Sequence, residues 1–485
     1  MSIIVLIIVC LIMLLRPVLG VAVYLVLYNS IFCLAIRLYW SLPKRMFLLV
    51  YTALCLGALL GARIDRQRMP PDESDRMRLR QARRVIAWAL LPYLGWLTGA
   101  VILGVVEGNA FASSAMSFLG GALLPFVLVP VILLLRRRRL AIMRAVAAVT
   151  VVTAAVHLVV SLSGSRSLLF EAYYWSMGET DYFANWIMEV EGRGIPQGIF
   201  LFLFGGTFCF ASLLTPGGRR GHKMGMGLLA LGAVLAVMMT VARGPMLSLG
   251  VGFLSAVALV FTIREARPSL VKKTLLVSAV IVTAVWVTVI RVPEAGERWM
   301  QRLSSLGDEV DALFRPTQIY GAYHENVRGL ENFVAMRLLS EKPFIGWGTL
   351  DVMMENTLIE DPEHSGRDVH SILKMGVIGG VPLMLLYLWM YAALFFGFWS
   401  LSRGNHRLRV CLIPFLCVVA TSGFINLLGL GRLFGAETAP FAVFVSLMAA
   451  QFVAFRSDAS GGSAPRASGA ATPLTVADAN EGGPS

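Results

Sequence analysis

The sequence predicts an all-α fold: a polytopic integral membrane protein with about 12–13 transmembrane helices and one large external loop that contains amphipathic helices. Three observations predict it. Of 485 residues, 57% are hydrophobic and 15% charged, where a soluble domain carries about 25% charged residues, and the mean hydropathy is +0.72. Apolar runs recur at roughly the 20-residue length needed to cross a bilayer, not as the alternating segments of about ten residues that build a β-barrel. The positive charge sits in short connectors between those runs, where orientation signals belong.

The first element, residues 1–62, begins MSIIVLIIVCLIMLL and lacks the basic start and cleavage site of a removable signal, so it reads as retained transmembrane helix. Residues 2–40 fit one long helix or two short ones around Arg16-Pro17. A basic connector follows at 63–86, with eight arginines between Arg63 and Arg84. The transmembrane core, 87–291, is punctuated by further basic clusters at Arg136–Arg139, Gly217–Lys223 and Arg264–Lys273, and a fifth lies at Ser402–Arg409. Retention of positive loops inside the cell makes all five cytoplasmic. The alternate connectors are then external: Glu107–Ser114, 164–195, the tight turn Ala242–Pro245, 292–371, and a turn around Gly429–Arg432.

The loop at 292–371 holds fourteen acidic and seven basic residues within a chain of net charge +13, as an external loop should. Trp299, Leu303, Leu306, Val310 and Leu313 or Phe314 fall on one helical stripe. A second helix is predicted up to Glu341, stopped by Pro343, with Gly346 and Gly348 flanking a turn. A polar, acidic stretch then leads to His370. The C-terminal transmembrane helices occupy 372–455. The tail, 456–485, is rich in Ala, Gly, Ser and Pro and is expected to be disordered and cytoplasmic.

Several function classes drop out. The charge lies in orientation loops, so no nucleic-acid partner is expected. No glycine-rich phosphate loop with a lysine is present, so no nucleotide is expected. Cys10, Cys33, Cys55, Cys209, Cys411 and Cys417 lie in apolar runs without a CxxC pair and read as core residues. His324, His364 and His370 share the external loop without metal-ligand spacing, so neither metal nor other cofactor is expected.

Taken in order, Arg328, the helix to Glu341, PFIGWG (Pro343–Gly348), His370 and GVIGGVPLMLLYL (Gly376–Leu388) resemble the bacterial O-antigen polymerase and O-antigen ligase superfamily. A second similar feature is TVARGPMLSLG (Thr240–Gly250), centred on Arg243. Departures fall at Ser371, where asparagine is common, and Ala242, where serine is common. The resemblance covers about residues 200–400 and implies a multi-pass protein of the inner membrane with a periplasmic active site. It implies glycosyl transfer from an undecaprenyl-pyrophosphate-linked glycan, as a polymerase or as a ligase onto lipid A core, alongside a chain-length regulator or other polysaccharide assembly proteins. A transporter without covalent chemistry is the alternative from another class. It would place charges within the helices, whereas here they cluster at helix ends.

That chemistry asks for a base and for an anion site. His370, with an imidazole that titrates near neutrality, suits the base; its competing role is a polar residue at a helix start. Arg243 and Arg328 suit the pyrophosphate, since guanidinium holds phosphate oxygens in a fixed geometry; their competing roles are interfacial snorkelling and a solvated helix face. Arg337, Lys374 and Arg432 are additional candidates. The aromatic stretch Phe170–Gly192 fits interfacial anchoring or a sugar platform.

Overall fold

The computed structural model describes residues 2–29, 44–68, 73–162, 199–217, 220–239, 243–291, 335–349, 372–427 and 438–455. The chain divides into two units, Met1–Ala454 and Phe455–Ser485, and the helices belong to the first. In order they are α1 (Ser2–Leu15), α2 (Pro17–Asn29), α3 (Lys44–Arg68), α4 (Glu73–Val106), α5 (Ala112–Leu123), α6 (Leu128–Leu134), α7 (Arg139–Leu162), α8 (Ile199–Leu214), α9 (Arg220–Met238), α10 (Arg243–Phe261), α11 (Arg267–Arg291), α12 (Ile372–Leu401), α13 (His406–Leu427) and α14 (Thr438–Ala454). A further helical segment covers 335–341, and the described residues contain no strand. The protein is an all-helical, multi-pass membrane protein.

The first helix pair settles one alternative. The chain breaks at Arg16 into α1 and α2, with Pro17 in the first helical position, where its missing N–H is not needed.

Five helical stretches are long and apolar enough to cross a bilayer: Glu73–Val106, Arg136–Val159, Arg220–Met238, Ile372–Leu401 and His406–Leu427. The pair Pro245–Phe261 and Arg264–Thr283, bent by 108°, makes a sixth if it counts as one span. The described residues thus supply five or six crossings against the twelve or thirteen expected. Within the described residues the apolar helices α8 and α14 cover 16 and 17 residues.

The centre of the bundle is α14 with α8 and α13. α14 is apolar on every face and buried from Ala439 to Ala450, the pattern of a helix with neighbours all round. At its junction with α8 and α13, Phe208 meets Phe415 and Phe444 at ring distances of 4.8 and 5.8 Å. Cys209 and Cys417 are free thiols in the adjoining apolar cluster. Around this centre α4 pairs with α12, α1 with α3, α2 with α7, and α9 and α10 with α8. His157 of α7 is buried between helices, its Nε2 3.1 Å from the Ala236 carbonyl of α9.

The basic connectors meet at one end of the bundle. Arg138 is held by both carboxylate oxygens of Asp65, at 3.0 and 2.8 Å. Arg139 donates to Gln451 at the end of α14 (2.9 Å). His406 reaches Glu265 at 2.7 Å, joining the connectors before α11 and before α13. Helix direction then carries the end of α4, the starts of α10 and α12 and the end of α13 to the opposite end.

Candidate functional site

The opposite end contains a broken helix. α12 is interrupted at Gly379 (φ −135°, ψ 19°) and Gly380 (φ 73°, ψ −176°). Pro382 follows and has no N–H to give to the Ile378 carbonyl. A break at this depth exposes backbone groups that lipid cannot satisfy, and the structure supplies partners from two distant segments.

PFIGWG is the first. Trp347 N–H donates to the Val377 carbonyl (2.7 Å), Gly348 N–H to the Ile378 carbonyl (3.0 Å), and Val381 N–H donates to the Pro343 carbonyl (2.7 Å). The second is α4: the Trp96 indole N–H donates to the Gly379 carbonyl at 2.8 Å. So close a backbone approach leaves no room for side chains. A Cβ on Gly380 would lie 2.5 Å from the Pro343 carbonyl oxygen, and one on Gly346 would lie 2.5 Å from Gly379 N. Both glycines have φ of +73°, the left-handed region that other residues enter at a cost of about 1–2 kcal/mol.

The helical segment that precedes the turn ends at Glu341. Its Ala335 and Leu338 pack on Val377 of α12, beside Leu373 and Trp347. The Trp347 indole donates back to the Leu338 carbonyl (2.8 Å). Arg337 lies on the other, exposed face and pairs with Glu341 at 3.4 Å. The structure therefore turns Arg337 away from the break.

A clasp closes the turn against α4. Lys342 Nζ bonds Glu107 Oε2 and lies 4.2 Å from the Trp347 ring centroid. Asn109 donates to the same Glu107 oxygen at 3.0 Å. The Lys342 hydrogen bond holds the Glu107 carboxyl below its ordinary value of 4.5, with the Lys342 charge and Asn109 acting the same way against a smaller desolvation. A depressed carboxyl contributes stability above its unfolded pKa and loses it as pH falls through the folded one. The clasp should thus hold unchanged from pH 7 to pH 5 and release below about 4.5. Hydrogen exchange at the Trp347 and Gly348 amides should accelerate over that acid range, and Glu107→Gln should remove the acid step.

Beneath the break lies a polar seam. Tyr93 of α4 packs on Tyr387 at 5.4 Å between ring centroids. The Tyr387 and Tyr391 hydroxyls are 2.9 Å apart, and Asn426 Nδ2 donates to the Tyr391 hydroxyl at 2.9 Å. Asn426 Oδ1 is buried and has no partner among the described residues.

Of the predicted site residues, Lys374 stands half-buried in the first turn of α12. Arg243 opens α10, and its side chain lies outside the described residues. So do His370, two positions before α12, and Arg328, Arg432, His324 and His364. The stripe from Trp299 to Phe314 and the aromatic stretch Phe170–Gly192 also fall outside them. Among the described residues no three His, Cys, Asp or Glu side chains gather as a metal site requires. Glu107, Lys342 and Trp96 are not among the residues that sequence reasoning singles out. Each acts across 235 residues or more, so no local pattern marks it.

No family model matches the chain, and no curated protein matches it either.

Proposed function

We propose that the chain is a glycosyltransferase of the bacterial inner membrane that works on the periplasmic face and polymerises oligosaccharide units carried on undecaprenyl pyrophosphate. The observation that supports this best is the seating of PFIGWG on the broken start of α12. Two motifs that resemble the polymerase and ligase superfamily, about 30 residues apart in sequence and on either side of His370, form one hydrogen-bonded unit.

In this reading a hydroxyl of the acceptor sugar attacks the anomeric carbon of the donor. His370 takes the hydroxyl proton as the new C–O bond forms. The bond from the anomeric carbon to the lipid pyrophosphate breaks, and its electron pair leaves with the pyrophosphate. Arg243 and Arg328 hold that anion; Lys374 and Arg432 are further cations for the same site. Arg337, paired with Glu341 on the outward face, is the least suited of the additional candidates.

Purified protein with labelled lipid-linked units tests the proposal. A ladder of products is expected. A single transfer to lipid A core would make the protein a ligase, and movement of intact units across the bilayer without transfer would make it a transporter. Arg243→Ala and Arg328→Ala should each lower transfer by about 10- to 100-fold, the effect of removing a hydrogen bond to a charged group. Equal rates for both variants and the unsubstituted protein would remove the arginines from the site.

A further inference from the structure

The PFIGWG turn lies deeper than a connector between two crossings needs to lie. α4 sets the scale. Arg84 and Glu107 are consecutive charges in the sequence, and the 22 residues between them carry none. That interval is about 33 Å long at 1.5 Å per residue, which matches a hydrocarbon core of about 30 Å. Trp96 stands near its middle, eleven residues before Glu107, or about 16 Å along the helix. Its indole N–H meets the Gly379 carbonyl at 2.8 Å, so the break in α12 sits well inside the apolar interval. The turn descends to this level and returns. Lys342, at its start, reaches the Glu107 carboxylate. Pro343 accepts from the Val381 N–H (2.7 Å), and a Cβ on Gly380 would meet Phe344 C at 2.5 Å. Gly348 then lies against Gly104, where a Cβ would be 2.7 Å from its Cα.

Side chains and backbone suit that depth. Phe344 is 74% exposed and Ile345 49%, and the chain carries no charge between Lys342 and Asp351. The two side chains continue an exposed apolar row on α12, Val381, Leu385 and Trp389, at intervals of four residues. A row of this kind on a membrane-crossing helix is its lipid face. Ile102 of α4, closer to Glu107 than Trp96 is, is exposed as well, so apolar surface extends above the turn. Irregular backbone is tolerated at membrane depth only where protein satisfies it. Here Gly346 N–H donates to the Lys342 carbonyl (3.1 Å), the Trp347 and Gly348 amides donate to α12, and Pro343 has no N–H to leave unmet.

We infer that Pro343–Trp347 is a re-entrant turn that dips into the bilayer leaflet at the end of the bundle away from the basic connectors, and presents Phe344 and Ile345 to lipid hydrocarbon chains. The Lys342–Glu107 clasp then marks the headgroup level, where both charges keep access to water. The inference rests on α4 and α12 crossing the membrane, and it stands whether or not the proposed reaction does.

The test uses the full chain in vesicles of phosphatidylcholine that carries a photoreactive diazirine in its acyl chain. Irradiation should cross-link Phe344 and Ile345 in yields like those on Leu385 and Trp389, read by mass spectrometry of the peptides. Hydroxyl radicals generated in the water should leave Phe344 and Ile345 unmodified. Oxidation of Phe344 would put the turn in water, and neither oxidation nor cross-linking would put it under protein; either result overturns the inference. Phe344→Asp should speed amide exchange at Trp347 and Gly348 by about 10- to 100-fold, because a carboxylate at lipid depth is costly. An unchanged rate in that variant overturns it too, since a water-facing position accepts the charge.

Discussion

In the glycan polymerase we propose, His370→Ala is expected to slow chain extension about 10²- to 10⁴-fold, the range that a positioned general base contributes. The reasoning is chemical. A sugar hydroxyl is a poor nucleophile until its proton is taken, and imidazole is the side chain that accepts a proton near neutrality without a shifted pKa. The position adds to this. His370 lies two residues before α12, whose first turns are clamped by PFIGWG and by Trp96. The measurement is product length on a gel at matched protein level. Normal long chains from a normally expressed His370→Ala protein would remove the base.

Gly380→Ala should have the next largest effect. Its left-handed backbone costs another residue about 1–2 kcal/mol. The new methyl would also meet backbone atoms, Phe344 C and the Pro343 carbonyl oxygen, at 2.5 Å. Backbone cannot swing aside as a side-chain tip can, and overpacking of this kind costs about 1–3 kcal/mol. The total, on the order of 3 kcal/mol, shifts the docked segment towards release by roughly a hundredfold. Amide exchange at Trp347 and Gly348 should rise accordingly, and chain extension should fall with it. Gly99→Ala is the control: a Cβ there meets nothing within 4 Å. Unchanged exchange in Gly380→Ala would mean that the turn does not need this close approach.

The helical class, the basic connectors and the stop before Pro343 are legible in sequence because each is local: an apolar run, a charge cluster, a proline. PFIGWG and GVIGG are legible as glycine-bearing motifs, but their mutual hydrogen bonding is not, since nothing in either string names its acceptor. Trp96 reads only as an aromatic on an apolar helix, although its indole completes the broken helix from 283 residues away. Glu107 and Lys342 each read as ordinary loop charges. In RRRR the four arginines are equivalent, and only the fold buries one of them, Arg136.

The break in α12 also bears on how the protein is assembled. Its carbonyls find partners in two segments made at very different times during synthesis: residues 343–348 emerge shortly before it, while Trp96 was inserted long before. Bringing distant segments together costs only slightly more with each doubling of the intervening length, so the early partner is hardly disadvantaged by its distance. Until both arrive, the outer turns of α12 carry unmet hydrogen-bonding groups in or near lipid. This corner of the bundle should therefore be among the last to settle in the membrane. A chain that inserts correctly but fails to bring α4 beside α12 would lack an ordered start to α12.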